Sequence, residues 1–397
     1  MYLLLTVFIT GSAVAQEDSQ GLVGGALTGW GPVPVANEGA RTRGSTHLWG
    51  QLQTWVTLWD QDVDPQADPA TYGDPEADPG FSIARARLGI DGFLPTGGGP
   101  GQLDYALSLG IAAPYDAISV ADSDVQLVDA FGRWALPSSM GLTSLSLGVQ
   151  RVPFSREAMI SSADLVFQER AVGTNWLPPG REVGALATQS LSLSDDPGGN
   201  QLLLRLGAFN GNGALLGDTD PGILASGRLE LILGDAYRTW SPELEPALGL
   251  GIAGLIDTDL ATSTRALEAD LLARYSVVTL LGEAVSSTIT PNQTDVVAPG
   301  VAGATGRLGW LGQLSVFVPT KGPRGLELAA RYATFDDAVA LDNNGDVGIL
   351  HTGATYRGLL EQIDLGLAFI HRIELDNAPN DTIRLTAQIR PERDLGR

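Results

Sequence analysis

Residues 81–93, FSIARARLGIDGF, alternate in a way that decides the architecture. Successive side chains of an extended strand point to opposite faces. Ala84, Ala86, Leu88 and Ile90 therefore share one face, and Arg85, Arg87 and Asp91 share the other. After the compact turn Pro95–Gly101 (PTGGGPG), Leu103, Tyr105, Leu107, Leu109 and Ile111 again fall on one face, opposite Asp104, Ala106, Ser108 and Gly110. A soluble sheet would turn the charged face to water and bury the apolar one. A membrane barrel would point the same charges into its channel.

Toward the N-terminus, His47–Trp59 is a second two-faced strand, with Leu48, Leu52, Val56 and Leu58 on one side and Gln51, Gln53, Trp55 and Thr57 on the other. The acidic, proline-rich stretch Asp60–Pro79 between the two reads as a long exposed loop. Toward the C-terminus the same rule predicts strands near 124–136, 142–151, 183–193, 201–210, 223–234, 245–255, 265–274 and 276–286. It predicts five more near 302–318, 325–334, 348–356, 359–371 and 382–391, for about sixteen in all. The connections PTGGGPG, PSSMG, SDDPGGN, TKGPR and the near-zero link at Tyr275 are short, whereas those near 60, 114, 152, 211, 256, 287, 335 and 372 are generally longer. Short turns at one end and long loops at the other mark an outer-membrane barrel. The expected fold is an all-β, transmembrane antiparallel β-barrel of about 16 strands, wide enough for a water-filled channel.

Composition agrees. Met1–Ala15 has a short apolar core ending in Ala13-Val14-Ala15, the small-x-small pattern of a cleaved signal peptide. Residues 16–44 read as a flexible lead, and 45–397 as the barrel. Cysteine is absent, so no disulfide staples the chain. A net charge of −22 argues against nucleic acid, which requires a basic face.

The longest interruption of strand alternation is Gly148–Gly184, GVQRVPFSREAMISSADLVFQERAVGTNWLPPGREVG. A connection of this length in a compact β protein needs a functional reason. Phe154, Ile160, Leu165, Phe167 and Trp176 supply apolar packing, so the segment reads as an ordered third loop folded back into the lumen. There it would form the constriction, with Phe154, Ser155, Glu157 and Glu169 among its residues. Its arginines Arg151, Arg156, Arg170 and Arg181, with Arg85, Arg87, Arg133, Arg205, Arg228, Arg274 and Arg331 on strands, are candidates to line the pore and bind anions. A guanidinium stays ionised and offers a planar fork of donors to phosphate or carboxylate oxygens. Asp104, Asp129, Glu157, Glu169, Glu182 and Glu230 are acids able to pair with these arginines. Such pairing would pin the loop to the wall and cancel the field.

Val152-Pro153-Phe154-Ser155-Arg156-Glu157, Phe167-Gln168-Glu169-Arg170, Pro179-Gly180-Arg181-Glu182-Val183-Gly184 and Ala208-Phe209-Asn210-Gly211 together resemble the phosphate-selective porin O and P family of bacterial outer membranes. The resemblance extends more loosely over 45–391. It implies an arginine ladder, a homotrimer, and contact with outer-membrane lipids and small anionic or polar solutes. No cofactor is expected, and the net charge already argues against nucleic acid. Family members that select phosphate strongly are similar in adding a lysine cluster near the constriction; here Lys321 is the sole lysine. A general or mildly anion-preferring porin is therefore expected, with a plugged, non-conducting structural barrel as the alternative.

Other chemistry finds little support. The histidines are His47, His351 and His371, no Gly-x-Ser-x-Gly elbow occurs, and no Cys/His metal set is present. Asp60, Asp62 and Asp64, and the stretch Asp342–Asp346, are acidic loops without the EF-hand pattern, and solvated loops are the expectation. Trp49, Trp55, Trp59, Trp134 and Trp310 are candidates for interfacial girdles or for core. The final strand is followed by Pro391–Arg397 rather than by a terminal aromatic residue.

Overall fold

The computed structural model describes residues 44–60, 79–94, 101–112, 125–138, 141–194, 200–213, 221–239, 244–292, 303–320, 324–342, 345–360, 362–374 and 381–394. The expected signal peptide and most of the N-terminal lead lie outside these residues, as does nearly all of the acidic loop after Asp60.

The strands are β1 (Ser45–Asp60), β2 (Gly80–Leu94), β3 (Gln102–Ala112), β4 (Gln126–Ser138), β5 (Gly141–Arg151) and β6 (Arg181–Ser192). They continue as β7 (Gln201–Phe209), β8 (Ile223–Leu233), β9 (Ala247–Thr258), β10 (Thr262–Tyr275), β11 (Val278–Pro291) and β12 (Thr305–Pro319). The last are β13 (Gly325–Asp336), β14 (Val347–Leu359), β15 (Ile363–Ile373), β16 (Asp381–Ile389) and the short β17 (Glu392–Asp394). Each pairs antiparallel with its sequence neighbour from β1 to β16, and β16 pairs with β1 from Leu52↔Ile389 to Asp60↔Thr382. The ladder therefore closes on itself and has no edge, which is what lets a sheet satisfy its backbone inside lipid.

Every predicted strand is present within a few residues of its expected limits. The exception to a simple ring is the seam. Pro391 has no N–H and breaks the last strand, its carbonyl accepts from Gly50 N at 2.8 Å, and β17 resumes pairing with β1 at His47–Trp49. Two connections differ from the expected lengths. The link between β9 and β10 spans only 259–261, and the β8–β9 connection, 234–246 at the turn end, is long.

The barrel is apolar outside and polar inside. Along β10, Glu268, Asp270 and Arg274 are buried while Leu267 is 70% exposed. Leu147, Leu206, Ile252, Leu314 and Leu367 lie on the same outer surface. Burying such a face stabilises by roughly 25 cal/mol per Å², and around a closed ring only lipid can cover it. This settles the sense of the alternation seen at Phe81–Phe93. Arg85 is buried within the ring and Leu88 is 53% exposed outside it, with a bulge between Gln53 and Thr54 of the partner strand. Among the tryptophans, Trp59, Trp134 and Trp310 are exposed outward, whereas Trp55 is buried inward beneath the Arg384 guanidinium, 4.3 Å from its ring centroid.

Candidate functional site

The site is built by residues 152–180, which contain the short helices α1 (Arg156–Met159) and α2 (Val172–Trp176). Ser155 caps α1, its Oγ accepting from Ala158 N at 3.0 Å. Entry into the segment is set by Gly148 at φ +128°, a conformation open to glycine. A Cβ there would collide with the Ala130 carbonyl. Beyond this point Val149, Gln150 and Arg151 are all buried, and the in–out alternation of β5 ends.

The segment touches the wall on every side. It accepts hydrogen bonds from Gln53 on β1 (to Ser162 O, 3.1 Å), Arg85 on β2 (to Gln168 O, 2.9 Å) and Arg331 on β13 (to Glu169 O, 2.9 Å). Arg357 on β14 donates to Val166 O at 2.9 Å, Gln388 on β16 to Ala163 O at 3.0 Å, and Thr239 to Asp164 O at 2.7 Å. Strands this far apart around a closed ring can be reached together only from within it. Thr239 belongs to the turn-end connection, whose Ala236 and Tyr237 are themselves buried in the interior cluster, so the middle of the segment and that connection meet inside the barrel. Phe154, Met159, Ile160, Leu165, Val172 and Leu177 pack on inward apolar side chains such as Leu203, Leu255, Leu272, Leu311 and Phe335. The apolar core of this protein thus lies inside the barrel, between segment and wall.

The candidate arginines fall into two groups. Arg133, Arg156, Arg205, Arg228 and Arg331 pair with carboxylates. Arg133 meets Asp104 at 2.9 Å, and Arg331 meets Glu157 at 3.0 Å. Arg156 pairs with Asp270 and Glu230, Arg205 with Glu230, and Arg228 with Glu230, Glu268 and Asp270. Arg156 and Arg228 are 0% and 1% exposed and tie the segment to β8–β10. Room for them comes from Gly249 and Gly251 on the inward face of β9. A Cβ on Gly249 would lie 2.8 Å from an Arg156 nitrogen. Arg274, also buried, donates to the carbonyls of Asp235 and Arg238 at 2.9 Å each.

The second group faces β2–β6. Arg87 lies in the field of Arg181, Arg85, Arg170 and Asp129, and Arg151 in that of Arg181, Arg170, Asp129 and Arg87. Arg181 pairs with Asp129 at 2.8 Å. Arg170 donates to the carbonyls of Glu157 and Ile160. Arg85 donates to Gln53 Oε1 and Gln168 O, Arg87 to Ser162 Oγ at 3.1 Å, and Arg151 to the carbonyls of Ala158 and Ile160. None of Arg85, Arg87 and Arg151 has a carboxylate partner among the described residues. Arg151 is 5% exposed, and its Nε and Nη2 are buried without an acceptor there.

Of the acids read from the sequence, Asp104, Asp129, Glu157 and Glu230 pair with arginines as above, and Glu169 pairs with Arg384 at 3.0 Å. Glu182 instead accepts from Gly213 N at 2.9 Å. Glu157 is the hub of the segment, also accepting from Ala171 N at 2.8 Å and from Thr174 Oγ1. Sequence reading passed over Glu268, Asp270, Glu283, Arg357 and Arg384. Glu268, Asp270, Glu283 and Arg384 sit on the inward register of predicted strands, so parity alone could have found them, whereas Arg357 falls between the predicted strands 348–356 and 359–371 and enters only because β14 runs on to Leu359. At the end of β13, Asp336, Asp337 and Asp346 bring carboxylates within 4.8 Å of one another, with no second feature pointing to a cation.

No family model matches the sequence, and no curated protein matches it. Solved structures do. OprB of Pseudomonas putida superimposes with a TM-score of 0.57 at 9% identity, over 89% of this chain and 94% of that one. OmpT, an outer membrane protein of Vibrio cholerae, gives 0.56 at 10% identity over 88% and 99%. The anion-selective porin from Comamonas acidovorans gives 0.53 at 15% over 88% and 100%. The fold is that of outer-membrane porins. With its apolar exterior, this barrel belongs in the bacterial outer membrane. The likeness to porins is general, and nothing in these comparisons singles out phosphate-selective members.

Proposed function

We propose that the protein is a passive diffusion channel of the outer membrane for small hydrophilic solutes, with a mild preference for anions, phosphate among them. The observation that carries the preference is the cluster Arg85, Arg87, Arg151, Arg170 and Arg181, for which Asp129 is the nearby acid. The buried donors that Arg85 and Arg151 keep open among the described residues attract oxyanions, and rings of charged side chains set ion selectivity in pores. Chemistry is not part of this reading; the protein acts as a non-enzymatic pore, most naturally as a homotrimer like other porins.

The test is the zero-current potential of the refolded protein in a planar bilayer across a KCl gradient, repeated with phosphate. An anion-signed potential that falls in Arg87→Gln and Arg151→Gln supports the proposal. A cation-signed or zero potential overturns the anion preference. A second reading, a plugged structural barrel, is favoured by the position of the 152–180 segment inside the barrel and the burial of its ties; absence of conductance would establish it.

A further inference from the structure

Beside the arginine cluster, and lined by its members Arg85 and Arg170, a cavity lies inside the barrel between the segment and β13–β15, bounded on its far side by β2. Its charged lining is Arg85, Arg170, Arg331 and Glu169. Two of these are already answered. Arg331 is held by Glu157 at 3.0 Å, and the Glu169 carboxylate by Arg384 at 3.0 Å. Arg85 is different. It is 5% exposed, bonds only to the neutral oxygens of Gln53 and Gln168, and leaves its Nε without an acceptor among the described residues.

Facing this guanidinium are apolar walls. Val172, Ile349 and Ile370 are buried at 3%, 9% and 5%, and Trp176 stands half-buried beside them. An inorganic oxyanion would satisfy Arg85 and leave those walls uncovered. Ligand sites combine apolar walls with a few placed polar groups that fix the ligand's orientation. The geometry points to a binding site for small organic carboxylates with an apolar body, the carboxylate on Arg85 and the hydrocarbon against Val172, Ile349, Ile370 and Trp176. This deepens the preceding proposal and rests on its anion preference.

Burial of one methylene changes affinity by about fourfold. Butyrate, with two methylenes more than acetate, is therefore expected to bind roughly fifteenfold more tightly, measured by calorimetry on the refolded full chain in detergent and by reduction of the chloride current in bilayers. Val172→Thr preserves the branched shape but makes the wall polar; it should shrink the butyrate advantage and spare acetate. Arg85→Gln should weaken both acids, and retained heat-modifiable gel migration shows that each variant still forms the barrel. Butyrate binding no tighter than acetate, in a channel that still prefers anions, overturns this site and leaves the anion preference standing. Tight butyrate binding that responds to both variants, in a channel without ionic preference, upholds the site and overturns the preference instead.

Discussion

Replacing Arg156 by Met tests how the segment is held. Arg156 is wholly buried, with Nε on Asp270, Nη2 on Glu230 at 3.4 Å and Nη1 on the Ala236 carbonyl at 3.0 Å, its fork lying flat on Gly249. Removing one partner of a buried ion pair costs about 3–5 kcal/mol. Asp270 keeps Arg228, and Glu230 keeps Arg205 and Arg228, so the lower end, about 3 kcal/mol, is the better figure. At about 1.4 kcal/mol per factor of ten, the population with a displaced segment rises by roughly two orders of magnitude. The strand ladder makes no use of Arg156, so the barrel should migrate normally on unheated gels. Proteolysis within 152–180 and single-channel current noise should both increase, and Arg156→Lys should fall between, keeping the charge but losing the fork. Wild-type protease protection and quiet currents in Arg156→Met would refute the idea that this network seats the segment.

Gly173→Ala places a Cβ 2.7 Å from the Thr334 carbonyl and 2.8 Å from Gly309 Cα. Overpacking of this kind costs about 1–3 kcal/mol, and noisier currents with an intact barrel are expected. Glu157→Gln removes the carboxylate that holds Arg331 at 3.0 Å. The zero-current potential should shift further toward anions, and an unchanged potential would place Arg331 off the permeation path. Leu267→Arg puts a charge on the outer face, midway along β10, at a site now 70% exposed to lipid. It should destabilise the barrel by about 2–4 kcal/mol in denaturant titrations from lipid vesicles, and no loss would contradict an embedded β10.

Strand content was legible because a period of two is a local property. Side chains alternate wherever the chain is extended, so FSIARARLGIDGF marks β2 without knowledge of its neighbours. The hairpin at Tyr275 and Val278 could likewise be placed by spacing, as could the inward register of Arg85, Arg87, Arg205, Arg228 and Arg331. The length and apolar content of 148–184 marked it as a connection with side chains of its own to pack, as Phe154, Ile160 and Leu165 do.

Tertiary structure decided the rest. Alternation alone cannot say which face meets lipid; closure of β16 on β1 does, by leaving only one surface on the outside. It could not show that Trp55 turns inward beneath Arg384, since indole suits a membrane interface as well as a cation. Nor could it choose partners for the arginines. Arg156 finds Asp270, Arg331 finds Glu157 and Arg384 finds Glu169 across more than a hundred residues of chain. Arg156 and Glu157, neighbours in sequence, look to different partners because side chains one residue apart on helix α1 do not face each other. Which guanidiniums are cancelled, and which remain to meet an anion, therefore depends on how the segment crosses the lumen, and that is set by long-range packing rather than by any local pattern.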